Sequence, residues 1–452
     1  EKNSARHMIV MKFGGTSVGS SAMIRQVTEI VRRAQSRRPL VVVSAASKVT
    51  DMLLDAARQA LEGGRAAALR APVGERESAL LAELGLPLDL VEDLLDELLR
   101  LLEGVSLLGE LTPRSLDRIA SLGERMSARL VARAMDESGL PARDFAAWEL
   151  GLRTDSTFGC ARMLAEAPRA MRQAWESLAP DVVPVVTGFI GQDEAGRITT
   201  LGRGGSDLSA ALFGAALGAE IIEIWTDVSG IMTCDPRVVR AARVLPRLAF
   251  AEAAELAYFG AKVLHPKTIE PAMRAGIPVW VKNTFKPEDP GTEIVARVDT
   301  RTSGPVGISM RRKVTCVNLM STGMLESCGF VARVFEAFAR HSVPIDVIST
   351  SEVQVSFTVT APREQIEAAA RELGDAAQVT LVPDRAVVCL VGEGMKTTAG
   401  LAGRAFSTLG AAGVNIEMIS QGASEINVTF VVADSDCEAA VRALHAHFFE
   451  PG

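Results

Sequence analysis

Three glycine-rich segments of this sequence carry side chains that could bind an anion and act on it. In the first, residues 11–19 (MKFGGTSVG), Lys12 ends an apolar run and is followed closely by Gly14 and Gly15. Paired glycines let the backbone approach an anion, and amides at the start of a helix can hold a phosphate. Lys12 would add a positive charge beside that pocket. The segment matches neither G-x-x-x-x-G-K-S/T nor G-x-G-x-x-G, so an ordinary strand-to-helix turn stays open as an alternative.

The second segment, residues 199–214 (TTLGRGGSDLSAALFG), places Arg203, Ser206 and Asp207 among glycines at the start of a small-residue helix. An arginine can bind a carboxylate through two parallel hydrogen bonds. Ser206 or Asp207 could instead cap the helix. The three polar residues together favour a binding role over capping alone.

The third segment, residues 224–237 (IWTDVSGIMTCDPR), begins with a predicted strand that ends at Trp225, Thr226 and Asp227. Open α/β sheets bind ligands at the carboxyl ends of their strands, which makes Thr226 and Asp227 candidates. Asp235 precedes a proline, where an aspartate is more often part of a turn than a ligand.

These segments need a sheet to position them, and short apolar runs alternate with amphipathic stretches from Met8 to about Val295. Apolar runs separated by helices predict a mostly parallel α/β sheet that is covered on both faces. The predicted strands are IVMKF, LVVVSA, VVPVVTGFI, EIIEIW and IPVWV, and the predicted helices include residues 22–34 and 206–217. Leucines at helical spacing predict a helical hairpin inserted at about residues 66–112, and we interpret the leucine stripe as packing.

The C-terminal part contains an internal repeat. Seven positions recur at a constant offset of 71 residues, the first pair being Gly329 and Gly400, and four later positions recur at an offset of 73, ending with Phe357 and Phe430. Each copy is predicted to contain a strand, a glycine turn, a helix and two further strands. Such duplicated α+β units either bind ligands or serve only as packing modules. The polar stretch 297–305 is the predicted boundary before them.

Composition excludes several classes of protein. The 452 residues carry 48 Lys and Arg against 55 Asp and Glu, a net charge of −7, and only 5% are aromatic. We expect no nucleic-acid partner, which would need a basic face and stacking rings, and no membrane partner, because no apolar run approaches ~18 residues. The six scattered cysteines form no C-x-x-C, so we expect no zinc site and a cytoplasmic location. Residues 1–7 are interpreted as a tag remnant or disordered leader.

Four blocks in a fixed order now point to one family: KFGGTS, LGRGGSD, WTDVSGI with DPR, and FGAKVLHP. Together they resemble the aspartate kinases of the amino acid kinase family, and the repeats resemble their tandem ACT domains, as in the monofunctional lysine-sensitive type. The resemblance implies an α/β three-layer sandwich with a mostly parallel central sheet, followed by two α+β ferredoxin-like ACT domains. The implied domains are 8–297 for the kinase, 298–312 for a linker, and 313–383 and 384–452 for the ACT domains.

The resemblance implies that MgATP phosphorylates the β-carboxylate of L-aspartate to give 4-phospho-L-aspartate, the first step towards lysine, threonine and methionine. A carboxylate with a pKa of about 4 is ionised at pH 7, so the reaction needs no general base. It needs positioning and cations that stabilise the spread negative charge. The alternatives are another carboxylate kinase of the family, acting on glutamate or acetylglutamate, and a non-catalytic amino-acid sensor.

Site residues carried over from the resemblance fall into three groups. Lys12 and Asp207 are the expected catalytic residues. The expected aspartate pocket comprises Thr50, Glu124, Phe189, Arg203, Gly204 and Ser206, with Arg203 binding the α-carboxylate and Glu124 the ammonium group. The expected nucleotide site comprises Lys12, Gly14, Gly15, Thr16, Ser17, Thr226, Asp227, Met232, Arg237 and Lys262. Mg²⁺ is expected to be held mainly by the ATP phosphates, with no metal site built from protein ligands.

Two of these assignments depart from what the residues or the family suggest. From the residues alone, Glu124 would be interpreted as part of a solvated helix face. Met232 stands where the family often has a tyrosine, which makes one nucleotide contact apolar. His265, the histidine that lies in one of the blocks, is interpreted as structural.

Regulation is expected in the first repeat. The residues that match the family's effector pattern are Met324, Ser327, Asp346, Thr350, Ser351 and Glu352. The acidic groups suit the amino groups of L-lysine, the expected feedback inhibitor, and L-threonine is the rival effector. The second repeat has Glu417 and Gln421 instead, so it is not expected to bind the same ligand. The resemblance also implies a homodimer, or a dimer of dimers, formed through the ACT domains.

Overall fold

The computed structural model describes residues 8–259, 264, 266–298, 304–320, 329–351, 353–374, 377–393, 395, 398–421 and 426–450. The chain forms two compact units. The first comprises the described residues of Glu1–Ile231, Pro246–Phe250 and Val263–Arg297. The second comprises those of Met232–Leu245, Ala251–Lys262 and Val298–Gly452.

Ten strands form the sheets of the first unit. They are β1 (Ile9–Phe13), β2 (Pro39–Val43), β3 (Ala142–Phe145), β4 (Val183–Thr187), β5 (Ile190–Gln192), β6 (Ile198–Thr200), β7 (Ile221–Thr226), β8 (Arg247–Ala249), β9 (Val279–Asn283) and β10 (Thr292–Val295). Eight of them form one sheet in the order β3-β4-β2-β1-β7-β9-β10-β8, and β5 pairs with β6 separately. All neighbours in the large sheet are parallel except β9 and β10. The predicted, mostly parallel sheet is confirmed, and β1 lies at its centre.

The chain from Ser21 to Ala275 also forms helices, and the fifth and seventh of them contact strands of this sheet. The helices are α1 (Ser21–Arg33), α2 (Val49–Leu61), α3 (Ala66–Leu84), α4 (Glu92–Leu108), α5 (Pro113–Glu137), α6 (Ala167–Glu176), α7 (Gly205–Leu217), α8 (Phe250–Phe259, whose residues from Ala251 onwards belong to the second unit) and α9 (Pro266–Ala275). Helix α5 begins where the Thr112 side chain accepts a hydrogen bond from the Ser115 amide, with a proline at its first position. Helices α3 and α4 occupy the predicted insertion, and their leucines share one apolar core with β1.

The second unit contains a six-stranded antiparallel sheet in the order β12-β13-β11-β14-β16-β15. Its elements are β11 (Gly307–Met320), α10 (Phe330–Arg340), β12 (Ile345–Thr350), β13 (Gln354–Val359), α11 (Arg363–Glu372), β14 (Gln378–Val391), α12 (Leu401–Ala411), β15 (Met418–Ser420), β16 (Asn427–Ala433) and α13 (Cys437–Phe449). Helices α10 and α12 begin 71 residues apart (401 − 330), and β13 and β16 begin 73 apart (427 − 354). The sequence repeat is therefore also a structural repeat. Each copy has its own apolar core.

The boundary before the first repeat differs from the expected linker at 298–312. Residues 307–311, at the start of β11, pair with residues 387–391 of β14, which also pair with β16. The start of β11 therefore completes the sheet of the second repeat, whereas its remainder from Val314 serves the first. A pattern of apolar residues predicts a strand, but it does not indicate which strand, distant in sequence, will pair with it.

Two segments expected in the kinase domain instead pack within the second unit. In the segment Met232–Leu245, Cys234 and Val239 belong to the apolar core of the second repeat. In α8, the Glu252 carboxylate accepts a hydrogen bond from the Glu393 amide at 3.0 Å. No helix in the described ranges combines the length and the apolar composition that a membrane crossing needs.

Candidate active site

The ammonium group of Lys12 lies 2.6 Å from Asp207 Oδ1. Lys12 is the fourth residue of the central strand β1, and Asp207 lies in the first turn of α7, so two of the glycine-rich segments meet here. Both side chains are largely buried. The ion pair with Asp207 therefore holds the ammonium group of Lys12 in one position in a poorly solvated part of the structure.

The loop after β1 is held by backbone contacts to the end of β7 and to the loop after β2. The Gly14 amide donates to Trp225 O at 3.1 Å, and the Ser47 amide donates to Gly15 O at 3.0 Å. A Cβ on Gly15 would lie 2.7 Å from Ala45 O, so only glycine fits without a backbone shift. Helix α1 begins only at Ser21, so the expected phosphate amides lie in a turn before the helix rather than in the helix's first turn.

The two hydroxyl residues of this loop have different surroundings. Thr16 is exposed, and its hydroxyl can reach a ligand. Ser17 is fully buried, and its hydroxyl forms a 2.7 Å hydrogen bond with the Thr284 hydroxyl. We infer that Ser17 supports the loop, whereas Thr16 is the hydroxyl that a nucleotide could contact.

Glu124 is buried in the middle of α5, and not on the solvated face that its sequence surroundings suggest. One carboxylate oxygen, Oε1, accepts a hydrogen bond from the Ala45 amide at 3.2 Å. The other, Oε2, is buried and has no hydrogen-bond partner among the described residues. Burial raises the pKa of Glu124 to about 8, and the Ala45 amide opposes that increase. An ammonium group placed at Oε2 would supply the missing partner and lower the pKa again.

The turn after β4 packs tightly on the start of α7. A Cβ on Gly188 would lie 2.8 Å from the Ser206 Cβ, and a Cβ on Gly205 would lie 2.6 Å from Phe189 Cδ2. Phe189 has a positive φ of 66° and donates its amide to Ser209 Oγ at 3.0 Å. The structure therefore brings Phe189 and Ser206 together.

Arg203 is exposed at the entrance of the same loop, one residue before Gly204, whose φ is +72°. Within the described part of the chain, no hydrogen bond or ion pair holds the Arg203 guanidinium. Thr50 is half-buried in the first turn of α2. That end of α2 packs on α5, because a Cβ on Gly123, next to Glu124, would lie 3.5 Å from Val49 Cγ1.

Residues of the expected nucleotide site divide between the two units. Thr226 ends β7, and its carbonyl oxygen accepts a hydrogen bond from the Thr284 amide at 2.8 Å, which links it to Ser17 through Thr284. Asp227 is exposed and accepts a hydrogen bond from the Thr226 hydroxyl at 3.2 Å.

Three further residues of that site are not among the described residues of the first unit. Met232 and Arg237 belong to the second unit. Arg237 pairs with Asp235 at 2.6 Å, and its side chain is 87% exposed. Lys262, and also His265, lie outside the described residues.

Comparisons with known proteins agree with this geometry. Residues 7–283 match the amino acid kinase family, and residues 317–376 and 388–448 each match an ACT domain. Aspartokinase 1, chloroplastic, from Arabidopsis thaliana is 38% identical over 458 residues, which are 98% of this chain and 80% of the relative. The chain belongs to the aspartokinases. It is therefore a kinase, and its C-terminal repeats are ACT domains.

Two solved structures of E. coli aspartokinase III extend the match to three dimensions, and both cover 98% of this chain and 100% of theirs. The complex with lysine and aspartate, described as the T-state, gives a TM-score of 0.83 at 36% identity. The complex with aspartate and ADP, described as the R-state, gives 0.80 at 35% identity. The expected fold class is confirmed.

Sequence reasoning missed Asp117 of α5, which holds the segment just before the loop that carries Arg203. Its carboxylate accepts hydrogen bonds from the Thr200 amide and hydroxyl, both at 2.8 Å, and from the Gly159 amide at 2.9 Å. Thr200 directly precedes the loop that carries Arg203. Asp117 lies seven residues before Glu124, which is close to two helical turns, so both face the same side of α5. The seven-residue spacing from Glu124 was the sequence signal that could have identified Asp117.

The effector residues are only partly described. Met324, Ser327 and Glu352 lie outside the described residues. Thr350 ends β12 and is exposed, and the Ser351 amide donates to Gln354 O at 2.8 Å. Asp346 is different, because its side chain is only 2% exposed and already has partners within the second unit.

Proposed function

We propose that this chain transfers the γ-phosphoryl group of ATP to the β-carboxylate of L-aspartate and releases 4-phospho-L-aspartate and ADP. The observation that carries the proposal is the buried Lys12–Asp207 pair at the end of the glycine loop, in the same unit as a buried carboxylate, Glu124, with one unpartnered oxygen. A cation for a phosphoryl group and an anion for an ammonium group are what this reaction requires.

Recognition of aspartate needs groups of both signs, because the substrate is a zwitterion with a second carboxylate. Arg203, which is exposed and has no hydrogen bond or ion pair to another described residue, binds the α-carboxylate through two hydrogen bonds. Glu124 Oε2 accepts the ammonium group. Thr50, Phe189, Gly204 and Ser206 form the walls between them. We infer from these roles that the β-carboxylate is directed towards Lys12.

In the transfer step, a β-carboxylate oxygen attacks the γ-phosphorus as the bond to the β,γ-bridging oxygen breaks, and ADP leaves with that electron pair. No proton is removed from the nucleophile, because it is already ionised. Lys12 neutralises the charge that spreads over the phosphoryl oxygens, and Asp207 holds Lys12 in place. Gly14, Gly15 and Thr16 support the phosphates, with Thr226 and Asp227 on the nucleotide side. Met232, Arg237 and Lys262 remain proposed nucleotide contacts.

Mg²⁺ fits this site as an ion carried by the nucleotide. The described residues contain no group of three or more His, Cys, Asp or Glu that could hold a metal ion by themselves. Asp207, which contacts Lys12, is the carboxylate that we propose lies beside the metal-bound phosphates. Bound to the phosphates, Mg²⁺ would neutralise part of their negative charge.

We propose further that L-lysine inhibits the enzyme by shifting a population between two states through the first ACT domain. The support is the lysine complex of the E. coli relative, together with Asp346 at the position expected for an effector carboxylate. The same proposal includes a cytoplasmic, homodimeric or doubly dimeric enzyme joined through its ACT domains.

Hydroxylamine trapping of the acyl phosphate tests the reaction. The full chain with MgATP should form the hydroxamate from L-aspartate and little or none from L-glutamate or N-acetylglutamate. Product from glutamate alone would refute the proposal, and no product from any acid would favour a non-catalytic sensor. Adding L-lysine or L-threonine to the aspartate assay then tests the effector, since inhibition by threonine alone would contradict lysine.

A further inference from the structure

Both carboxylate oxygens of Asp346 are already occupied by partners within the second unit. The Tyr258 hydroxyl donates to Oδ1 at 2.7 Å, and the Arg311 guanidinium donates to Oδ2 at 2.9 Å. The Thr360 hydroxyl adds a longer hydrogen bond to Oδ2 at 3.3 Å. With its side chain 2% exposed, Asp346 is not accessible to a new ligand in this conformation.

Tyr258 is the only tyrosine in the chain, and it lies near the end of α8. The Arg311 guanidinium lies 4.9 Å from the centre of its ring and also donates to its backbone carbonyl. Burial, and then the hydrogen bond to Asp346, raise the pKa of Tyr258 to about 12, so the phenol keeps its proton and stays a donor. The residue is nevertheless 42% exposed, which leaves the side chain room to move.

An amino-acid effector presents an ammonium group, whose charged hydrogen bonds to a carboxylate are about twice as strong as neutral ones. Arg311 already makes such a charged bond and is held by two further contacts to Tyr258, so it is the harder partner to displace. The neutral Tyr258 hydroxyl is the easier one. The order of displacement therefore follows from the charges of the two donors.

We propose that Tyr258 covers the effector carboxylate, and that an amino-acid effector binds Asp346 by displacing the Tyr258 hydroxyl. This inference rests on the proposed effector role of Asp346. Its consequence is a competition in which the hydrogen bond from Tyr258 to Asp346 must be broken before the ammonium group can bind.

Displacement changes how α8 is attached. The same helix is tied to the second repeat by Glu252, which accepts a hydrogen bond from the Glu393 amide at 3.0 Å, and by Glu255, which accepts one from the Asn427 side chain at 2.7 Å. The Tyr258–Asp346 bond ties it to the first repeat. An effector that takes Asp346 thus breaks the direct hydrogen bond from α8 to the first repeat, while the Arg311 contacts to Tyr258 and the two hydrogen bonds to the second repeat remain.

Titration calorimetry of the full chain with L-lysine, repeated with L-threonine, tests the competition. Tyr258→Phe keeps the ring and removes the hydroxyl, so it should bind the effector about 2- to 10-fold more tightly, with unchanged uninhibited kinase activity. Thr360→Val is the matched control, because it removes the longer hydrogen bond to the same carboxylate and should change affinity less than about 2-fold. Equal affinities for Tyr258→Phe and the wild type would overturn the proposal.

A second readout follows the hydroxyl itself. Biosynthetic replacement by 3-fluorotyrosine gives one ¹⁹F resonance, since the chain has a single tyrosine. That resonance should move on effector addition and saturate at the concentrations found by calorimetry, whereas an unmoved resonance at saturation overturns the proposal. A wild-type chain that binds neither amino acid also overturns it, and the hydroxamate assay shows separately whether the kinase reaction stands.

Discussion

The backbone amide of Ala45 donates a hydrogen bond to Glu124 Oε1 at 3.2 Å. The carbonyl oxygen of the same residue faces Gly15, where an added Cβ would come within 2.7 Å of it. Ala45 follows β2, so one short loop contacts both the phosphate-side glycine loop and the carboxylate proposed to bind the substrate ammonium. The two halves of the site are therefore coupled through a single residue's backbone.

Glu124→Gln tests the ammonium contact. The glutamine keeps the size of the side chain but removes the negative charge, so KM for aspartate should rise about 10- to 150-fold, the range of a hydrogen bond to a charged group. KM for ATP should change little. Steady-state kinetics with either substrate varied separates the two effects, and an unchanged KM for aspartate would contradict the assignment.

The same residue predicts a pH dependence in the wild type. In the free enzyme, burial raises the pKa of Glu124 to about 8, so the carboxyl is largely protonated at pH 6. Binding an ammonium group requires the ionised form, and kcat/KM for aspartate should therefore increase with pH until about pH 8. The Glu124→Gln variant should lose that increase. A wild-type profile already flat from pH 6 would show that Glu124 is ionised at lower pH.

Gly15→Ala tests the close approach at the glycine loop. The new methyl group must displace the Ala45 backbone, so we expect loss of kcat and a higher KM for ATP, with a KM for aspartate that also rises because Ala45 contacts Glu124. Gly104→Ala is the control, since its Cβ would meet no atom within 4 Å in the middle of α4. The control should be active and slightly more stable, because alanine is favoured over glycine in a helix by about 1 kcal/mol.

Much of the sheet could be predicted from the sequence, because buried strands carry continuous apolar runs. IVMKF coincides with β1, and the predicted helix at 206–217 is α7 with one residue added. The run VVPVVTGFI predicted one strand, whereas the chain forms β4 and β5 with Phe189 at a positive φ between them. An aromatic residue gives no sequence signal for that conformation, which tertiary contacts with Ser209 and Gly205 impose.

The candidate site was less predictable where a residue's role depends on its burial or on partners that are distant in sequence. The helical pattern around Glu124 could not show that this face of α5 is covered, because the cover comes from Ala45, Val49 and Leu53 in other segments. The partners of Asp346 could not be predicted either, since Tyr258 and Arg311 reach it from a helix and a strand far away in sequence. Contacts of this kind follow from topology, not from local spacing.

Lys12→Ala should lower kcat by about 10²- to 10³-fold, the cost of removing one group that stabilises transition-state charge. If Asp207 acts by holding Lys12, Asp207→Asn should also lower kcat, and the double variant should be no slower than Lys12→Ala. Circular dichroism and thermal unfolding check that the variants are folded, since the pair is largely buried. Additive losses in the double variant would mean that Asp207 has a separate role.

Glu77, a buried residue of α3, predicts how stability changes with pH. Burial raises its pKa to about 7, although Arg76 opposes the increase. The unfolded chain releases this proton near pH 4.5 and the folded chain near pH 7, so the folded state holds more protons between these values. The free energy of unfolding should therefore fall as pH rises through that window, by at most about 1.4 kcal/mol per pH unit from this group. Urea unfolding from pH 5 to 8 should show a smaller fall in the free energy of unfolding for Glu77→Gln than for the wild type. Glu75→Gln, which changes an exposed residue of the same helix, is the control and should follow the wild type. Parallel curves for Glu77→Gln and the wild type would contradict the raised pKa.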